Sequence, residues 1–210
     1  MLKKNIEEMF RRFEARDPEP KGELDYINVY TLLVAVVLSA QATDVGVNKA
    51  TKALFQIADT PEKMVSLGLA SITEHVRTIG LYRNKAKNVL ALSERLIAHF
   101  NSQVPDNRED LESLAGVGRK TANVVLNLYF GQPTIAVDTH IFRLSNRLKL
   151  APSKNVVETE RKLEKAIPAK YKRHSHHWLI LHGRYVCKAR KPLCDECIIE
   201  DLCKSADKVV

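Results

Sequence analysis

The sequence predicts an all-α fold. Three observations carry this. Apolar residues recur at helical spacing through most of the 210 residues. No segment shows good period-two alternation, so strands are expected to be few or absent. Caps and breakers punctuate the chain at short intervals, with no repeat, low-complexity tract or long linker between them.

The elements follow in order. Ile6, Met9, Phe10 and Phe13 mark one face of an N-terminal helix, which Asp17-Pro18-Glu19-Pro20-Lys21-Gly22 breaks. Residues 29–40 are apolar on nearly all sides, so this helix is expected to be central and buried. Thr43 or Asp44 can cap the next, which runs to about Ala58. Asp59-Thr60-Pro61 reads as a cap with a first-turn proline. A short helix follows, then another from about Ser71 to near Gly80. Ala86, Val89, Leu90, Leu96 and Ile97 give a long amphipathic helix over Asn84 to Phe100. Asn107 caps a short helix ending at Gly116, and a second starts near Arg119 and ends by Gly131. Helices over 139–148, 155–167 and 174–186 complete the chain. Many short helices with short loops suit at most two intimate domains.

Thirty-three Lys and Arg against twenty-five Asp and Glu give a formal charge of +8. Such an excess suits a polyanion, because neutralising phosphates releases counterions. A merely basic soluble protein and a membrane-surface protein share that property. The longest apolar run, Leu32 to Leu38, is too short to span a bilayer. The charged start shows no export signal, so a cytoplasmic location is expected, where clustered cysteines point to metal or redox chemistry rather than disulfides.

Two stretches carry chemistry. In the first, Leu111, Leu114 and Val117 precede a Gly116-Val117-Gly118 turn followed by Arg119-Lys120. Two glycines one residue apart permit positive φ and close approach of backbone to a ligand. The turn ends at a helix N-terminus, which favours an anion. A DNA phosphate is the natural one for a basic protein, and an ordinary tight αα turn is the plainer reading. Lys120 sits just inside that N-terminus beside Arg119, where dipole and like charge disfavour the ammonium, so an amine nucleophile is possible. A phosphate contact or a solvated lysine would also fit. Asp138 is either a simple N-cap or a carboxylate that stabilises developing positive charge.

The second stretch holds Cys187, Cys194, Cys197 and Cys203, spaced C-x6-C-x2-C-x5-C. Soft thiolates this close can enclose zinc or an iron–sulfur cluster. Lys188, Arg190 and Lys191 between the first two would form a basic loop, either a phosphate contact or a solvated one. His174, His176 and His177 have no carboxylate near them and are expected at the surface or the core edge, not on a metal.

LAGVGRKTANVVL resembles the helix-hairpin-helix of a DNA glycosylase family, and GQPTIAVDTHIFRLSNRL resembles the Gly/Pro-rich loop and catalytic aspartate that follow it. SAQATD, TIGLYRNKA and HHWLILHGRYVC extend the likeness over nearly the whole chain. A lysine at position 120 marks the bifunctional endonuclease III branch. The resemblance implies Lys120 as nucleophile, Asp138 as its acidic partner, and a [4Fe-4S] cluster on the four cysteines. It implies Gln41 as the side chain filling a vacated base stack and Leu81 as a wedge beside it. Gly116, Val117, Gly118, Arg119, Thr121, His140 and Lys191 fall at DNA-facing positions, and Ser39 and Asp44 near a base pocket. The implied reaction removes an oxidised pyrimidine from double-stranded DNA, or acts on an abasic site, through a lysine Schiff base. β-Elimination then cuts 3′ to the lesion. The implied architecture is a central domain, about 22–132, carrying the hairpin (107–131). A second domain, 1–21 with 133–210, carries the cluster (187–203), with a DNA groove between the two. A monomer is expected. Mismatch-specific adenine or thymine glycosylases share the hairpin but are expected to lack lysine at 120. A non-catalytic hairpin module would leave Lys120, Asp138 and the cysteines without purpose.

Overall fold

The computed structural model describes residues 1–206 and 208–209. The chain folds as two compact units, Glu23–Phe130 and Met1–Gly22 with Gly131–Val210. No strand forms among the described residues. None of their helices is long and apolar enough to cross a membrane.

The Glu23–Phe130 unit is built around α2 (Val29–Ser39), whose positions Tyr30 to Leu38 are all buried. A helix without a polar face must be covered all round, and α3 (Asp44–Ile57), α5 (Tyr82–Phe100) and α7 (Arg119–Leu128) pack on it. A capping box starts α2: the Asn28 side chain accepts from the Thr31 amide at 2.9 Å, and Thr31 Oγ1 accepts from the Asn28 amide at 2.9 Å. Thr43 caps α3 and Thr60 caps α4 (Pro61–Val76), with Pro61 in its first turn. The stretch expected as two helices is one element with a break. Gly68, at φ 77° and ψ 162°, interrupts α4, and the second part resumes before Ser71. α4 packs along α5, which begins at Tyr82 rather than Asn84. α6 (Arg108–Glu112) completes the unit, packed on α7 and capped by Asn107.

In the other unit, α1 (Lys3–Arg16) buries the face Ile6, Met9, Phe10 and Phe13. Phe10 stacks on Tyr171 at 5.7 Å and lies 6.2 Å from Trp178. Trp178 donates its indole N–H to the Asp17 carbonyl at 2.7 Å, which satisfies the polar end of a buried ring. α8 (Thr139–Arg147) packs on α9 (Val156–Ala166) and α10 (Lys172–Leu181). The last long helix expected over 174–186 is not uniform: it passes into a π-helical turn, His182–Val186. His176 and His177 are buried rather than at the surface or core edge. They stand on α10 beside Trp178, within the part of the helix packed into this core.

Candidate DNA-repair site and cysteine centre

The hairpin between α6 and α7 is held from both sides. Leu111, Leu114 and Val117 are buried. Arg108 Nε donates to Asn123 Oδ1 at 3.0 Å, clamping the two helices. Gly116 sits at φ +77°, and a Cβ there would meet Asn88 Nδ2 at 2.9 Å. Glycine is therefore required twice, by the left-handed backbone and by the neighbour. Gly118 differs: its φ is −103°, and a Cβ would meet nothing within 4 Å. It is the N-cap of α7 and offers no side-chain cap. The first turn of this ten-residue helix therefore has no side-chain cap, the arrangement that accepts an anion. Arg119 and Lys120 are exposed in that first turn, and Thr121 is half-buried behind them.

Two turns of the same unit lie side by side. Gln41 has φ 55° and Leu81 has φ 60°, both left-handed without being glycine. Such residues cost about 1–3 kcal/mol each and cluster at functional sites. Both are exposed, Leu81 by 60%, which rules out a core role for it. A Cβ on Gly80 would lie 3.9 Å from the Gln41 carbonyl oxygen, so the turns adjoin. Ser39 spends its hydroxyl on the Val36 carbonyl at 2.8 Å, and Asp44 opens α3, half-buried.

Asp138 belongs to the other unit. It is half-buried and caps α8, accepting from the Ile141 amide at 2.8 Å. His140, in the first turn of α8, packs against Gly183 of the π turn. Arg143 reaches from α8 to the carbonyls of Gly183, at 2.5 Å, and Cys187, at 3.0 Å. Burial, then repulsion from Arg147, lowers its pKa from the ordinary arginine value. Arg147 Nη1 and Nη2 donate to the carbonyls of Lys188, at 2.6 Å, and Ala189, at 3.0 Å. Arg12 of α1 donates to the Ile198 carbonyl at 2.8 Å and pairs with Asp201. Three arginines therefore pin the cysteine loop by its backbone. They leave Lys188, Arg190 and Lys191 exposed, Lys191 with φ 51°. Sequence reading missed Arg143, Gly183 and His182, because it treated the π turn as ordinary helix. A glycine inside a helical pattern was the one available signal.

The four cysteines form no disulfide, each is half-buried, and all line one cavity with His182 and Leu193. Among the described residues, no three His, Cys, Asp or Glu side chains crowd closely enough to grip a single ion. A cluster spreads its irons and takes a thiolate at each, and four cysteines around one cavity fit that demand. Burial pushes the Cys197 thiol up to about 11, so its thiolate needs a cation against it. N–H donors face the sulfurs: Arg147 Nη1 at 3.6 Å from Cys187, and the Val209 amide at 3.4 Å from Cys194. His182 Nε2 lies 3.5 Å from Cys197 Sγ.

A braced hairpin before an open helix N-terminus, a capping aspartate and a four-thiol loop define a helix-hairpin-helix repair protein. Residues 34–169 match the family model described as HhH-GPD superfamily base excision DNA repair protein. Residues 187–203 match the iron–sulfur binding domain of endonuclease III. The chain is 56% identical to endonuclease III of Haemophilus influenzae and 54% identical to that of Escherichia coli K12, each over 96% of both chains. A solved structure of a trapped endonuclease III–DNA covalent intermediate matches with a TM-score of 0.90 and 44% identity. That match covers 97% of this chain and 96% of the other. The chain belongs to the endonuclease III family. It is a DNA glycosylase of base excision repair, in a family where AP lyase activity is typical, and its cofactor is a [4Fe-4S] cluster.

Proposed function

We propose that Lys120 is the nucleophile and Asp138 its acidic partner in removing a damaged pyrimidine from duplex DNA. The observation that carries this reading is the place of Lys120, exposed in the first turn of α7 just past the uncapped Gly118. A phosphate held on those amides would bring the sugar–phosphate backbone to the lysine. Arg119 and Thr121 flank that phosphate.

The base is flipped out of the stack. Gln41 fills the gap and Leu81 wedges beside it, while Ser39, Asp44 and His140 border the extruded base. The neutral Lys120 amine attacks C1′, and the N-glycosidic bond breaks as the base leaves with its electron pair. Asp138 stabilises the positive charge developing on the sugar and handles the amine's proton. Ring opening gives a Schiff base to Lys120. Loss of a C2′ proton then expels the 3′ phosphate by β-elimination. Lys191, on its pinned loop, adds a backbone contact. Cys187, Cys194, Cys197 and Cys203 would hold the cluster, which supplies a rigid anchor for that loop when bound. The protein acts as a monomer in the cytoplasm.

Borohydride trapping on a duplex containing thymine glycol tests this. The native protein is expected to form a covalent adduct, and Lys120→Ala to form none. An adduct that persists in Lys120→Ala, or none with native protein, would overturn the assignment.

A further inference from the structure

We propose that His182 is a positioning residue for the iron–sulfur cluster, donating its Nε2–H to the Cys197 sulfur and walling the cluster off from a second cavity. The inference rests on the four-cysteine cluster assigned above.

His182 begins the π turn that ends one residue before Cys187. It is 6% exposed, and Nε2 stands 3.5 Å from Cys197 Sγ. Phe13 fixes the ring from the other side, edge to face at 5.2 Å and 61°. The same imidazole, with Val186 beside it, lines two cavities. One is the thiol cavity. The other is half open and mostly apolar, bordered by Phe13, Trp178 and Tyr185, with Arg16 and Asp17 at its rim. Tyr185 is half exposed there. The ring and Val186 therefore stand between a space reachable from solvent and the sulfur of a ligand.

Two consequences follow from the chemistry. A reduced cluster places more negative charge on its sulfurs, so an N–H donor stabilises the reduced form more than the oxidised form and raises the potential. On that side the wall of His182 and Val186 slows the approach of water, oxygen or a chelator to the irons, while Cys194 and Cys197 also border a further open cavity. The first role needs an N–H and the second needs bulk, so substitutions separate them.

The test uses the purified holoprotein and three variants. Voltammetry reads the potential, and bleaching of the visible absorption by a chelator in air reads access. His182→Leu keeps bulk without a donor, so its potential should fall while bleaching stays near native. His182→Gln restores an N–H and should recover the potential. His182→Ala loses both, and its cluster should bleach about tenfold faster, the scale on which residues behind a metal ligand act. In native protein carrying isotopically labelled histidine, spin-echo spectra of the reduced cluster should show coupling to a histidine nitrogen. This readout needs no variant to fold. An unchanged potential in His182→Leu, or no nitrogen coupling, would overturn the donor role. Bleaching of His182→Ala at the native rate would overturn the wall. A native protein without cluster absorption would sink the cofactor reading itself, a distinct failure.

Discussion

Gly183 and His140 are packed so closely that no side chain fits between them. A Cβ on Gly183 would stand 3.1 Å from the His140 carbonyl oxygen and 3.2 Å from its Cβ. The π turn thereby braces the first turn of α8, which Asp138 caps. Gly183→Ala is expected to push that turn aside and cost about 1–3 kcal/mol, the usual range for overpacking. Thermal unfolding reads the stability. Single-turnover base removal should slow more than duplex affinity falls. A variant with native melting and native turnover would show that the contact positions nothing.

The two hairpin glycines should behave differently. Gly116→Ala meets Asn88 and demands a left-handed alanine, so a loss of about 2 kcal/mol in stability is expected. Gly118→Ala meets nothing in the free protein and should melt like native. Its methyl would stand where a phosphate approaches, so duplex affinity should drop roughly tenfold, about one lost charge-assisted hydrogen bond. Equal affinity of Gly118→Ala and native protein would place the phosphate elsewhere.

Asp138→Asn separates capping from charge. Asparagine caps helices about as well as aspartate, so the Ile141 amide keeps its acceptor and the melting temperature should hold. The carboxylate is gone, and base removal should slow by about 100- to 10,000-fold, the range for a positioned acid or base. Full turnover in this variant would reduce Asp138 to a cap.

Acid should weaken the second unit through His177. Burial, then the nearby His174, lowers its pKa from 6.5 to about 4, with Asp17 opposing. The unfolded chain therefore binds a proton that the folded chain refuses between those values. The resulting stability is whole above the unfolded value and is lost as pH falls toward 4, up to about 3 kcal/mol. His182 is depressed to about 4 as well, by burial and then Arg16, so one substitution removes only part of the slope. Urea unfolding at about pH 7 and about pH 5 should show a smaller difference in His177→Leu than in native protein. Identical differences would mean that His177 does not carry the effect.

Much of this protein is written locally. The all-apolar stretch that becomes α2 dictates a central helix, because no side of it can face water. Thr43, Thr60, Asn107 and Asn155 announce helix starts, since each satisfies an amide only three residues away. The glycines of the hairpin, Lys120 and the cysteine spacing are likewise chain-local, and they sufficed to indicate the family. Other features depend on partners far along the chain. The π turn, the burial of His176 and His177, and the meeting of Gly183 with His140 arise only when α8, α10 and α1 pack together. So does the approach of His182 to Cys197, fifteen residues apart. Capping, periodicity and ligand spacing act over a few residues and can be read from order alone. Packing against a specific distant neighbour is a property of the folded chain, and it decided what stands beside the aspartate and the cysteines.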